Sequence, residues 1–246
     1  MNARVFPDYE AMSAAAAGVV ARRLAEDPST VLMLPTGTTP LGMYRHLVEM
    51  HLSGEISFAG VTFFNLDEYL GLMPDHPASY HVYMKEHFYG LIDADPSRIF
   101  VPDGAASDPE AECERYEAAI KRAGGTDVCV LGIGRNGHIG FNEPGAPFDF
   151  RTRVVELSET TRMVNAADFE ANRAPERAIT VGMATIFESG EVLLLASGIN
   201  KAGAVAATVE GDVSESMPAS MLGRHPRAGL LLDEDAASDL GSGVAG

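Results

Sequence analysis

The sequence predicts an α/β fold built on a doubly wound, mostly parallel sheet. Two observations lead there. Short apolar runs of strand type alternate with longer amphipathic stretches along the 246 residues, the rhythm that produces a parallel sheet with helices on both faces. A glycine-rich turn also follows one apolar, β-branched run, Asp127–Ile133, and ligands of such sheets collect at the carboxyl ends of the strands. The expected architecture is Rossmann-like in its three layers, with one irregular segment as a lid.

In chain order, Asp8 to Glu26 reads as a helix and Val31–Leu34 as a strand. Leu41 to His51 is the next helix, and Val61–Leu66 the next strand. Helical stretches follow at about Ser79–Leu91 and Asp108–Arg122, separated by a short extended piece at Arg98–Val101. Asp127–Ile133 suits an inner strand of a parallel sheet. Val192–Ala196 reads as a strand, Asn200–Glu210 as a helix and Gly229–Leu232 as the last strand. Between Glu143 and about Arg177, proline, arginine and acidic residues break the rhythm, and so long a loop in a compact domain reads as a functional lid. The organisation expected is one α/β domain over 1–246 with a lid at about 143–177, ending in a frayed tail from Ser238.

With 46% hydrophobic residues the chain reads as soluble and globular. No apolar run approaches the ~20 residues that span a bilayer, and the N-terminus carries no signal-peptide pattern, so the expected place is the cytoplasm, with no membrane partner. The two cysteines lack metal-ligand spacing, and Cys129 falls inside an apolar strand as a buried thiol. A formal charge of −17 argues against nucleic acid as a partner. It also means that an anionic substrate needs a local positive potential, from backbone N–H groups and a few Lys or Arg, set against the field of the whole molecule.

Three constellations sit where this architecture puts ligands. In Leu34-Pro-Thr-Gly-Thr-Thr-Pro40 the glycine admits close backbone approach, Thr36, Thr38 and Thr39 supply hydroxyls, and the following helix N-terminus supplies N–H groups. A plain helix cap is the simpler reading, but three threonines with Gly37 exceed what a cap needs, which favours a phosphate cradle. In Asn65-Leu-Asp67-Glu68-Tyr69, a carboxylate at the end of a buried strand is partly desolvated and suits a general base. Adjacent carboxylates point different ways, so Asp67 is the expected base and Glu68 the expected cap of the next segment. In Gly132-Ile-Gly-Arg-Asn-Gly-His-Ile-Gly-Phe-Asn-Glu-Pro144, His138 can shuttle a proton and Glu143 can orient its ring. The spacing Gly132, Gly134, Gly137 imitates a dinucleotide fingerprint, but the turn runs on through too much Gly and Pro to begin a helix.

Together with Ser79-Tyr80, Thr180-Val-Gly182, Lys201-Ala202 and Val209-Glu-Gly211, these segments resemble the glucosamine-6-phosphate deaminases, of the sugar-phosphate isomerase and lactonase superfamily, over nearly the whole chain. The resemblance implies a reaction with no metal and no cofactor. His138 opens the aminosugar ring as acid/base, oriented by Glu143. Asp67 moves a proton from C2 toward C1 through an enol intermediate, ammonium leaves C2, and Thr36–Thr39 with Lys201 hold the phosphate. The implied partner is a small aminosugar phosphate, for a monomer or a homo-oligomer of up to six chains.

The chain also departs from the pattern. Asn136 stands where some members have an aspartate in the relay around the histidine, and an amide cannot transfer a proton there. Members activated by N-acetylglucosamine 6-phosphate carry a lysine two positions after an arginine; here Arg153 is followed by Val155, so no such activation is expected. The lid arginine that many members place on the phosphate is missing from Asn165-Ala-Ala-Asp168, which leaves Arg173 and Arg177 as candidate replacements. Competing readings are another sugar-phosphate isomerase or lactonase, galactosamine 6-phosphate as the substrate, and a non-catalytic phosphosugar-binding regulator. The intact Asp67 and His138 speak against the regulator.

Overall fold

A computed structural model describes residues 2–165, 169 and 174–241. Its strands and helices run β1 (Asn2–Phe6), α1 (Tyr9–Glu26), β2 (Val31–Leu34), α2 (Leu41–Leu52), β3 (Thr62–Asn65), β4 (Asp67–Tyr69), α3 (Tyr80–His87), β5 (Ile99–Phe100), α4 (Pro109–Arg122), β6 (Val128–Gly132), β7 (Arg153–Glu156), α5 (Glu159–Asn165), β8 (Arg177–Thr180), α6 (Met183–Phe187), β9 (Glu191–Ala196), α7 (Ala202–Glu210) and β10 (Ala228–Asp233). Helix boundaries follow local chemistry. The side chains of Asp8, Ser79 and Asp108 each accept a backbone N–H at the start of α1, α3 and α4.

Seven strands form one sheet in the order β1-β10-β9-β6-β2-β3-β5, and every pairing in it is parallel. Alternation along the inner strands divides the core into two layers. Leu32, Leu34, Val128 and Val130 face α1 and α2 through Met12, Val20, Met43 and Tyr44. Met33, Cys129, Leu131 and Leu194 face α4 and α7 through Tyr116, Ile120 and Val205. This is the three-layer, mostly parallel arrangement expected from the sequence. Successive strands step one way from β2 through β3 to β5, and the other way from β6 through β9 to β10. The switch point lies between β2 and β6, and the crevice beyond the strands' carboxyl ends there is where such sheets bind their ligands.

Four expectations change. Asn2–Phe6 is an edge strand paired with β10, missed because it is short and polar at its first position. The segment 143–177 is not wholly irregular, since β7 and α5 lie within it. β7 joins β4 and β8 in a small antiparallel sheet, β4-β8-β7; this unit has no tandem hairpin in the sequence to betray it. The described part of the tail, to Gly241, is packed rather than frayed, and the rest of it, 242–246, lies outside the described residues. Leu240 packs against the core, and Gly241 donates its N–H to Glu210 Oε1 at 2.6 Å. Both cysteines are free and buried, and no helix among the described residues is long and apolar enough to cross a membrane.

Candidate functional site

The turn after β2 is shaped by the direction of its carbonyls. Tyr44 Oη donates to Pro35 O at 2.5 Å, Tyr83 Oη to Gly37 O at 2.6 Å, and Tyr9 Oη to Thr38 O and Thr39 O at 3.2 and 3.1 Å. Tyr9 Oη itself receives the Gly42 N–H at 2.7 Å. Three tyrosines thus hold the acceptors of the turn, and among the described residues no backbone acceptor meets the N–H groups of Gly37, Thr38 and Thr39. Gly37 takes φ +92°, a left-handed backbone that a glycine adopts without strain. A turn with its carbonyls tied back and its amides uncommitted at the start of α2 is a receptor for an anion.

The turn after β6 is closed by two hydrogen bonds, Gly134 N–H to His138 O at 2.9 Å and Gly137 N–H to Gly134 O at 3.0 Å. His138 lies flat against Gly134, where a Cβ would stand 2.2 Å from the ring. His138 Nδ1 meets Asn136 Oδ1 at 2.7 Å, and Asn136 Nδ2 donates to Glu143 Oε2 at 2.7 Å. Glu143 stands 3.6 Å from Nδ1 itself, so it orients the ring chiefly through Asn136 rather than directly, as the sequence had led us to expect. Burial pushes the Glu143 carboxyl up, but the His138 ring beside it and hydrogen bonds from Thr161 and Asn136 outweigh it and bring it down to about 2. Ser158 and Thr161, at the start of α5, both donate to Glu143 Oε1. Nothing in the sequence marked them, because the contact spans the lid segment.

Asp67 opens β4, directly after β3, and is buried with only 6% of its surface exposed. Burial first, and then the charge of Glu68, pushes its carboxyl up to about 8. Glu68 points elsewhere, as alternation requires. Its Oε2 accepts the N–H groups of Tyr80 and His81 at 2.9 and 3.3 Å, and it faces His81 Nδ1 at 3.1 Å. Glu68 therefore caps α3. Gly140 links the β6 turn to Asp67: a Cβ there would lie 3.0 Å from Thr180 Oγ1 and 3.4 Å from Asp67 Oδ2. The same short turn presents His138 and borders Asp67. Tyr80, hydrogen-bonded to Thr36 and to Tyr69 Oη, joins this wall to the anion-receiving turn.

Lys201 follows β9 and donates from Nζ to Ile133 O at 2.7 Å, at the end of β6. Burial, and then the charge of Arg135, lowers its pKa. Thr36, Gly37, Thr38, Thr39, Asp67, Asn136, His138, Glu143 and Lys201 thus all follow the carboxyl ends of the neighbouring strands β2, β3, β6 and β9. Arg177 is not in this group. It is the exposed first residue of β8, three positions, about 10 Å, from Thr180, which pairs with Asp67. Arg173 lies outside the described residues. Val155 lies in β7 against an aromatic cluster with Tyr69 and Phe141, and Arg153 is engaged by Asn142 Oδ1 at 2.8 Å.

A family model for glucosamine-6-phosphate isomerases/6-phosphogluconolactonase matches residues 7–232. A glucosamine-6-phosphate deaminase of Halothermothrix orenii is 49% identical over 239 residues, covering 97% of this chain and 99% of the relative. Glucosamine-6-phosphate deaminase 1 of Bacillus subtilis is 50% identical over 231 residues, covering 94% and 96%. A solved monomeric glucosamine-6-phosphate deaminase superposes with a TM-score of 0.95 at 48% identity, over 97% of this chain and 100% of that one. The 6-phosphogluconolactonase of Trypanosoma brucei, at TM-score 0.76 and 22% identity over 98% of each chain, shares the fold. With a match that runs from the first helix to the last strand, the chain belongs to the glucosamine-6-phosphate isomerase/6-phosphogluconolactonase family.

Proposed function

We propose that this protein is a glucosamine-6-phosphate deaminase, converting glucosamine 6-phosphate and water to fructose 6-phosphate and ammonium in the cytoplasm. The observation that carries the reading is the pairing of a buried carboxylate, Asp67, with a histidine of fixed tautomer, His138, on either side of one glycine turn. A carboxylate base beside a separate acid/base histidine suits a reaction that opens a sugar ring and then moves a proton between neighbouring carbons. The deaminases named among the relatives act on a substrate that needs both.

The steps follow from the groups present. The substrate phosphate sits on the N–H groups and hydroxyls of Thr36–Thr39 with Lys201. Asn136 Oδ1 is an acceptor only, so His138 Nδ1 carries a proton and Nε2 of the neutral ring is the free base. Nε2 takes the proton of the anomeric hydroxyl and returns one to the ring oxygen as the ring opens. Asp67 then removes the C2 proton while the C1 carbonyl oxygen takes one proton from the substrate's ammonium group, giving the enolamine, and Asp67 delivers its proton to C1, leaving an iminium at C2. Water adds to C2 and the C–N bond breaks, releasing ammonia that leaves as ammonium. The cationic amino group of the bound sugar favours the charged form of Asp67 and lowers its pKa toward working pH. The domain is one unit, whose segment 143–177 closes over the sugar and excludes water.

Incubating the purified protein with glucosamine 6-phosphate and measuring ammonium and fructose 6-phosphate tests this reading. Equimolar release of both is expected, with no hydrolysis of 6-phosphogluconolactone. Lactone hydrolysis without ammonium release overturns it.

A further inference from the structure

Thr36–Thr39 supply dipoles but no charge, and Lys201 is one cation against a phosphate monoester that carries about −1.5 to −2 at neutral pH. The sequence offers no arginine at 165–168 to complete the match. A second cation nevertheless stands at the crevice. Arg135 lies in the β6 turn, two residues beyond Ile133, whose carbonyl holds Lys201 Nζ at 2.7 Å. It is exposed, and among the described residues it has no ion pair, although the molecule carries 35 acidic residues. Its charge is felt at Lys201. Two cations whose charges reach each other repel, and an anion lodged between them relieves that cost.

We infer that Arg135, reaching from the β6 turn beside Lys201, is the second cation on the substrate phosphate and takes the place of an arginine on the lid. This rests on the deaminase reading above and names the group that recognises the 6-phosphate. It also has a mechanical consequence. The Arg135 turn is closed by the Gly134 and Gly137 hydrogen bonds, so Arg135 is presented by a fixed turn after a core strand. Loss of Arg135 then weakens binding without slowing chemistry, which separates it from a lid residue, whose loss changes KM and kcat together.

The test compares Arg135→Gln, Arg135→Lys and, as a control, Arg98→Gln, an arginine hydrogen-bonded to Gly60 O away from the crevice. Arg135→Gln is expected to raise KM for glucosamine 6-phosphate about tenfold, the scale of one charge-assisted contact, with kcat within about twofold. Arg135→Lys recovers part of the loss, and Arg98→Gln changes nothing. Calorimetric titration with inorganic phosphate on the same proteins is expected to give a parallel weakening in Arg135→Gln. An unchanged KM and an unchanged phosphate affinity overturn the inference, as does a fall in kcat at constant KM, which places Arg135 in support of His138 instead. If the wild type releases no ammonium, the deaminase reading falls, while the phosphate titration still decides the role of Arg135.

Discussion

Asn136 stands between His138 and Glu143 with both ends of its amide committed: Oδ1 to His138 Nδ1 and Nδ2 to Glu143 Oε2, each at 2.7 Å. The direction of the amide is not arbitrary. Glu143 is ionised and accepts only, so the NH2 must face it, and the carbonyl is left for the ring. An amide cannot relay a proton, but it can transmit orientation, and the carboxylate anchors a tautomer it does not mainly touch. Thr161 and Ser158 tie that anchor to α5.

Asn136→Ala is expected to lower kcat by about 10- to 100-fold, the scale of a general acid/base held out of position, with KM little changed. Nitrogen NMR of the His138 ring checks the cause. The wild type shows the proton on Nδ1, and the variant shows mixed tautomers. A single Nδ1–H tautomer in the variant counts against the amide as the orienting group.

Asp67→Asn is expected to remove turnover by at least ~10²-fold and to stabilise the fold. The sign follows from the raised pKa. The folded protein holds a proton on Asp67 up to about pH 8, whereas the unfolded chain releases it near the ordinary aspartate value of 3.8. Stability from this group is therefore full below about 3.8 and is lost as pH rises toward 8. The asparagine does not titrate, so the Tm of the variant should exceed that of the wild type by a margin that grows from pH 5 to pH 8.5. Thermal melts across that range decide it, and a margin that shrinks with pH contradicts a raised Asp67 pKa.

Glu68→Gln is expected to shift the acidic limb of kcat/KM to lower pH. That limb reports the free enzyme's base, and the charge on Glu68 is one of the two causes that hold Asp67 up. Removing a like charge favours ionisation, so the pKa falls. The variant also loses a charged acceptor for the N–H groups of Tyr80 and His81, and a Tm a few degrees lower accompanies the shift. A pH–rate profile that stays in place while the Tm drops assigns Glu68 to structure alone.

The sequence made the parallel sheet legible because its inner strands are uniformly apolar and their helices are capped by visible residues such as Asp8, Ser79 and Asp108. It made Asp67 and His138 legible because each follows the carboxyl end of a core strand, where such a sheet collects its ligands. The small antiparallel sheet escaped. β4 has three residues, and its partner β8 is more than a hundred positions away, so no local periodicity records the pairing. For the same reason the tyrosines bracing the Thr36–Thr39 turn were invisible: Tyr9 and Tyr83 reach it from α1 and α3. Arg135 was hidden in plain view inside a motif read for its glycines and its histidine.

Gly134 offers the sharpest separation of site from fold. A methyl group there would lie 2.2 Å from His138 Cε1 and 2.3 Å from Nδ1, far inside contact distance, and the atoms met belong to a side chain rather than to backbone. Gly134→Ala therefore leaves the β6 turn a way to form, since the ring can swing aside, but it breaks the Nδ1 to Asn136 hydrogen bond as the ring moves. The expected cost to stability is about 1–3 kcal/mol, typical of overpacking, because only the ring and its one hydrogen bond must give. The expected cost to catalysis is larger, at least about 100-fold in kcat, since a general acid/base displaced from its reacting atom loses most of its effect. Exchange of the C2 proton with solvent, measured on substrate supplied in open-chain form, should survive in this variant because Asp67 is untouched. Loss of that exchange together with turnover means that the added methyl has moved the wall of Gly140 and Asp67 as well, and the two halves of the site are then one rigid unit.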